Sequence, residues 1–229
     1  MTAVLVVGCA IAGAVVGWLS DPVITRVPLK LPVRGPATPD EPPPPRGRRV
    51  IVTLLCGALC GAVAAQYDDS WVLPAYLVLT VGLVVLSAID LEHLLLPNRI
   101  VYPLGYVSLV LFALAAVGDG NFGALGRGLL AGAVAFVVFF VLHMVSPRSM
   151  GFGDVRLSFI LGLALGWLGW GELFVGLFAG FCYGAVVGVL LIVTRVRGRS
   201  QALPFGPFLA AGAMTGILVG SSIVDWYLH

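Results

Sequence analysis

Two aspartates stand at the ends of apolar runs in a chain that has only 11 carboxylates in 229 residues. Asp90 closes the run before LEHLLLPNRI, and Asp154 opens the run that follows SPRSMGFG. Two carboxyl groups held a few ångströms apart cannot both ionise easily, so they share a proton. The ionised one takes a proton from water while the neutral one donates to a carbonyl oxygen under attack. Gly151 and Gly153, just ahead of Asp154, are expected to give the backbone access to φ > 0 and to let a substrate chain approach closely. Plainer roles fit the same residues. Asp154 can cap a helix, its charge favoured by the helix dipole, and Asp90 can be a solvated charge at the end of a span. A proton or cation relay in a transporter is a third reading, although such carboxylates usually sit near the bilayer midplane and these sit at an edge.

The elements that must position these groups are membrane spans. The chain is 59% hydrophobic and 10% charged, with a mean hydropathy of +1.04, where soluble domains carry roughly 25% charged residues. Eight apolar runs are long enough to approach or cross a ~30 Å hydrocarbon layer. They cover about 3–19, 50–66, 71–89, 100–118, 125–145, 155–170, 172–194 and 206–227, the sixth being short. An all-α polytopic bundle follows, read as one domain over 1–229. MTAVLVVGCAIAGAVVGWL has no basic stretch ahead of its apolar run, so it reads as a first span and not as a cleavable leader.

Charge orients the spans. Of the 13 basic residues, all but Arg127 fall after spans one, three, five and seven. These are Arg26, Lys30, Arg34, Arg46, Arg48 and Arg49, then Arg99, then Arg148 and Arg156, then Arg195, Arg197 and Arg199. Asp68, Asp69, Asp119, Glu172 and Asp225 lie on the opposite side. The positive-inside rule makes the basic loops cytoplasmic and turns both termini outward. Trp71, Trp167, Trp170, Trp226 and Tyr227 are then expected in an outer aromatic belt. Spans four and five separate Asp90 from Asp154, so both carboxylates return to the cytoplasmic boundary. Pro97 disfavours helix at the residue before it, and Asn98 is expected to cap the helix that follows.

The remaining features carry less chemistry. The first cytoplasmic loop, 20–49, holds Pro42 to Pro45 and reads as an exposed, extended linker, its proline-rich core spanning 28–49. Cys9, Cys56, Cys60 and Cys182 all lie inside apolar runs. Cys56 and Cys60 share a helix face at a spacing compatible with metal ligation, but with no histidine or carboxylate near them in sequence they read as small apolar residues. The net charge of +2 gives no sign of nucleic-acid binding.

At four places the chain resembles the prepilin peptidases (type IV leader peptidases), membrane aspartyl proteases of the GxGD type. MGFGDVRL at 150–157 is similar to a glycine-rich GGGDVKL-like segment. AIDLEHLLLPNRI at 88–100 has the family's Asp, six residues, then Pro. GWLSDPVITRVP at 17–28 resembles GSFLNVVIYRLP, and LPFGPFLAAG at 203–212 the PFGP segment before the last span. One such segment is weak; four in the family's order are specific.

The resemblance implies a plasma-membrane enzyme whose active site faces the cytoplasm. It would remove the short basic leader from prepilin or pseudopilin precursors, with Asp90 and Asp154 as the catalytic pair and Gly151 and Gly153 shaping the substrate loop. Membrane lipid and the precursor are the implied partners. Longer members carry two CxxC pairs after the first span, read as a zinc site, and methylate the new amino terminus with S-adenosylmethionine. Here that place holds the proline-rich loop without cysteine, so by the resemblance no metal is expected, and S-adenosylmethionine enters only if methylation is retained. Asp21 replaces the family's usual Asn, and Arg156 its Lys. The added charge at 21 bears on leader recognition, and Glu92 is either a partner for a basic leader or a surface charge. His93 is a solvated loop residue or faces Asp90; His143 is expected to bond a neighbouring helix; Arg156 pairs with Asp154 or with lipid phosphate, the lipid being favoured. The chain is thus read as a membrane aspartyl endopeptidase, the alternatives being an ion-coupled transporter and a catalytically inactive pilus-assembly scaffold.

Overall fold

The computed structural model describes residues 2–33, 45–68, 70–146, 150–194 and 204–228. Arg34, Asp69, Arg148, Arg195, Arg197, Arg199 and the prolines 42–44 lie outside the described residues. The described chain is helical and falls into two compact units, Met1–Ala115 and Ala116–His229.

The first unit begins with α1 (Thr2–Leu19), α2 (Asp21–Arg26), α3 (Arg48–Gln66) and α4 (Leu73–His93). The fifth helix, α5 (Asn98–Gly118), contains the boundary between the units in its last turn, after Ala115. Glycines let α1 and α3 approach closely: a Cβ on Gly13 would lie 2.7 Å from the Cys56 carbonyl, and one on Gly57 would lie 3.2 Å from the Ala10 carbonyl. Without water in a bilayer, such small-residue faces gain van der Waals contact that larger side chains would prevent. Cys56 and Cys60 are buried in this contact, which is the packing role expected of them.

The segment after Leu19 is not the open linker that its prolines suggested. It turns at Ser20 into α2, with Pro22 near its start, where proline's missing N–H costs nothing. Ile24 is fully buried against Val52, Cys56, Val84, Val85 and Ile89. This apolar contact holds the entry to the loop against α3 and α4. Asn98 differs too: it is the first residue of α5, and the Pro97 carbonyl accepts from Ile100 and Val101.

The second unit contains α6 (Phe122–Val145), α7 (Phe152–Leu168), α8 (Trp170–Val193) and α9 (Gly206–Leu228). Asn121 caps α6, its side chain accepting from the Ala124 N–H at 3.1 Å. The α6–α7 contact is as close as that of α1 and α3: a Cβ on Gly132 would lie 2.9 Å from the Phe159 carbonyl, and one on Gly162 2.7 Å from the Ala131 carbonyl. The 17 residues of α7 span about 25 Å. Most of them are buried, including Trp167, which is 7% exposed and so belongs to the core and not to an aromatic belt. Trp71, Trp170, Trp226 and Tyr227 are exposed.

Seven helices among the described residues are long and apolar enough to cross a membrane: Ala3–Arg26, Arg48–Gln66, Leu73–His93, Asn98–Gly118, Phe122–Val145, Trp170–Val193 and Gly206–Tyr227. The short α7 is the remaining apolar helix of the eight expected. The molecule is an all-α, multi-pass membrane protein.

Candidate active site

Asp154 is the third residue of α7, and its position makes it a cap as well as a candidate catalyst. Gly151, the N-cap, is extended at φ −70°, ψ 147°. Its N–H donates to Asp154 Oδ2 at 3.2 Å, while its carbonyl accepts from the Asp154 N–H at 3.1 Å. A side chain at the N-cap would normally complete a reciprocal pair of caps; glycine has none, so only the carboxylate half is present. Negative charge in a helix's first turn is favoured by roughly 0.3–1 kcal/mol. The carboxylate is nonetheless 6% exposed.

The glycines do not take the positive φ expected from sequence. Neither Gly151 nor Gly153 is among the described residues with positive φ, and Gly153 is already helical. A Cβ at Gly151 would lie 3.4 Å from Asp154 Oδ2, in ordinary contact with the carboxylate.

Two neighbours hold this turn. His143, in the last turn of α6, places Nδ1 2.8 Å from the Met150 carbonyl, so it bonds the approach to α7 and not a facing helix. Its ring also meets Phe152 edge-on at 5.5 Å. Phe152 in turn lies under the Arg156 guanidinium, 4.5 Å away, a cation–π contact.

Asp90 belongs to the first unit, in the last turn of α4, and is 5% exposed. Leu94 ends that helix in the left-handed region (φ 52°), its N–H donating to the Asp90 carbonyl at 2.9 Å. A leucine there costs about 1–2 kcal/mol, and the sharp stop directs the chain toward Pro97. Glu92, read from sequence as a leader partner or a surface charge, and Asp21, whose charge bears on leader recognition, are both engaged by one buried arginine. Arg48 donates to Glu92 Oε2 at 2.8 Å and to Asp21 Oδ1 at 2.8 and 3.1 Å, and it also reaches the Thr25 hydroxyl at 2.6 Å. His93 is half-buried at the end of α4, with Nε2 4.0 Å from Glu92. The sequence showed Arg48 only as one of a run of basic residues. Its partners lie 27 and 44 positions away, at no spacing that marks them.

The basic residue that broke the charge rule also has a structural task. Arg127 donates to the carbonyls of Gly166, Trp167 and Leu168 at 2.7, 2.5 and 3.0 Å, capping the C-terminus of α7.

No group of three or more His, Cys, Asp or Glu among the described residues is placed to hold a metal ion. The four free thiols lie on α1, α3 and α8. The residues between α2 and α3 include no cysteine. The chain therefore does not fit a zinc held by paired CxxC motifs.

Fold and site together define a multi-pass helical membrane protein with two buried carboxylates, each at a helix end. Comparison with known proteins gives that description a family. Residues 77–189 match the type IV leader peptidase family, and both aspartates fall inside the match. A prepilin leader peptidase/N-methyltransferase of Aeromonas hydrophila is 35% identical over 190 residues, covering 81% of this chain and 63% of that protein. Proteins of the same description from Stutzerimonas stutzeri and Pseudomonas aeruginosa are each 35% identical over 186 residues, covering 80% of this chain and 62% of theirs. The protein carries a type IV leader peptidase domain. The chain spans a little over three fifths of the length of the curated relatives it matches. No solved structure matches it.

Proposed function

We propose that the protein is a membrane aspartyl endopeptidase that removes the short basic leader from prepilin-like precursors at the cytoplasmic boundary of the plasma membrane. The observation that carries this reading is the presence of both Asp90 and Asp154, each buried at a helix end, within the matched leader-peptidase region. Burial of an ionisable group at a membrane-spanning segment is costly and argues for a functional reason.

In the proposed reaction both carboxyl groups act on the precursor's leader junction, and water is the nucleophile. Asp154 sits at the positive pole of α7 and accepts the Gly151 N–H, so it is the carboxylate suited to hold negative charge and take the proton of water. Asp90 sits at the carbonyl end of α4, where the dipole does not favour a negative charge, so it is the group suited to carry the proton and donate it to the scissile carbonyl. Attack is direct, with no acyl-enzyme, and proton return to the leaving amine completes cleavage. Gly151 and Gly153 leave room for the substrate backbone beside Asp154. No metal or cofactor enters the proposed chemistry, and the substrate's apolar stem packs among the helices within the lipid.

The deciding experiment co-expresses a candidate prepilin with wild type, Asp90→Ala or Asp154→Asn and reads the precursor's size shift. Loss of the leader with wild type alone is the expected result. Leader removal by either variant at the wild-type rate overturns the two-aspartate assignment.

A further inference from the structure

We infer that His143 is a positioning residue for Asp154, acting through the single peptide group that joins Met150 to Gly151. The inference rests on the catalytic role proposed for Asp154 and adds a residue to that site. His143 Nδ1 lies 2.8 Å from the Met150 carbonyl oxygen. A carbonyl oxygen only accepts, so the proton of this hydrogen bond is on Nδ1. The same peptide group's N–H, belonging to Gly151, donates to Asp154 Oδ2 at 3.2 Å. The peptide is planar and rigid, so holding its oxygen also aims its N–H. Hydrogen bonding at the oxygen further polarises the N–H, strengthening the bond to the carboxylate. His143, the peptide and Asp154 therefore form one continuous chain of donors.

The surroundings fit a positioning role. Gly151 has no side chain, so no side-chain cap competes with Asp154 for the helix end. Phe152 meets the faces and edges of His143 and Phe140, at 5.5 and 6.4 Å, which sets the imidazole's plane. A histidine needed only for stability would gain as much from any carbonyl of its own helix end. This one reaches seven residues ahead, to the peptide that touches Asp154.

Three substitutions separate donation from packing. His143→Phe keeps a ring against Phe152 and removes the donor. His143→Asn places an amide nitrogen near the position of Nδ1, whereas His143→Gln carries its amide one bond further out. Each is purified, and kcat and KM are measured separately on a leader-spanning precursor, beside wild type and Asp154→Asn. His143→Phe is expected to lower kcat about tenfold with KM within about twofold, the scale of one hydrogen bond. His143→Asn is expected to restore most of the loss, and His143→Gln little of it. Wild-type kcat in His143→Phe, or equal kcat in the Asn and Gln variants, overturns the inference. If His143→Phe does not insert, the Asn and Gln comparison decides alone. Asp154→Asn keeps the two proposals apart: activity there sinks the catalytic assignment itself, whereas an inactive Asp154→Asn beside a fully active His143→Phe sinks only the role of His143.

Discussion

Arg48 donates to the Glu92 carboxylate at 2.8 Å, and Glu92 lies two residues beyond Asp90 on the last turn of α4. The same guanidinium holds Asp21 and Thr25, so one side chain that is 6% exposed ties the ends of α2, α3 and α4 together. The planar fork of arginine suits this geometry, because it can serve two carboxylates in different directions at once. The network also offsets the charge of Asp21, which stands where the resembling family usually has Asn.

Removing that arginine should be among the more damaging changes in the first unit. Arg48→Met leaves the partly buried Asp21 and Glu92 carboxylates without their shared donor, and losing hydrogen bonds to charged groups typically costs about 1.5–3 kcal/mol. We expect a marked fall in the thermal midpoint in detergent, partly recovered by Arg48→Lys. A double-mutant cycle with Glu92→Gln should show a coupling of about 1 kcal/mol or more. Additive effects would mean that the pair contributes little.

At the other end of the molecule's charge pattern, Arg127 is expected to matter for stability and not for chemistry. Its three carbonyl acceptors close the C-terminus of α7. Arg127→Met should cost about 2–3 kcal/mol, given the strength of charge-assisted bonds. Leader removal per folded molecule should stay at the wild-type value. A lower kcat at unchanged midpoint would contradict this division.

Close approach of α6 and α7 makes one glycine sensitive and another indifferent. In Gly162→Ala the new Cβ would lie 2.7 Å from both the Ala131 carbonyl and the Gly132 Cα, so the helices must part. Overpacking of this kind costs about 1–3 kcal/mol. Gly126→Ala, with nothing within 4 Å of the added carbon, should leave the midpoint unchanged or raise it slightly. Equal effects of the two would show that the α6–α7 contact is looser than described.

Carboxylate chemistry also predicts which reagents fail. Metal chelators and thiol-alkylating agents should leave leader removal unaffected in membranes. Cys56 and Cys60 are buried against the glycine face of α1, and the proposed mechanism uses neither thiol nor metal. Strong inhibition by a chelator or an alkylating agent would point to a different reaction.

Much of this protein was legible in the order of its residues. Long apolar runs must become helices in a bilayer, because every backbone polar group there has to be satisfied within its own segment. The helix ends around Asp90 and Asp154 were visible for a similarly local reason, since Pro97 and the glycines before Asp154 mark where the runs stop. The four motifs extended that reading to a family. Tertiary structure decided which polar groups meet. Arg48 finds Asp21 and Glu92, Arg127 finds the end of α7, His143 finds Met150, and the start of the proline-rich loop folds into α2 to bury Ile24. These partners depend on how each helix is rotated and how closely its neighbour approaches. Helices that are apolar on nearly every face carry little directional pattern to encode that rotation. The information lies in single glycines and single charges, whose partners are set only when the helices pack.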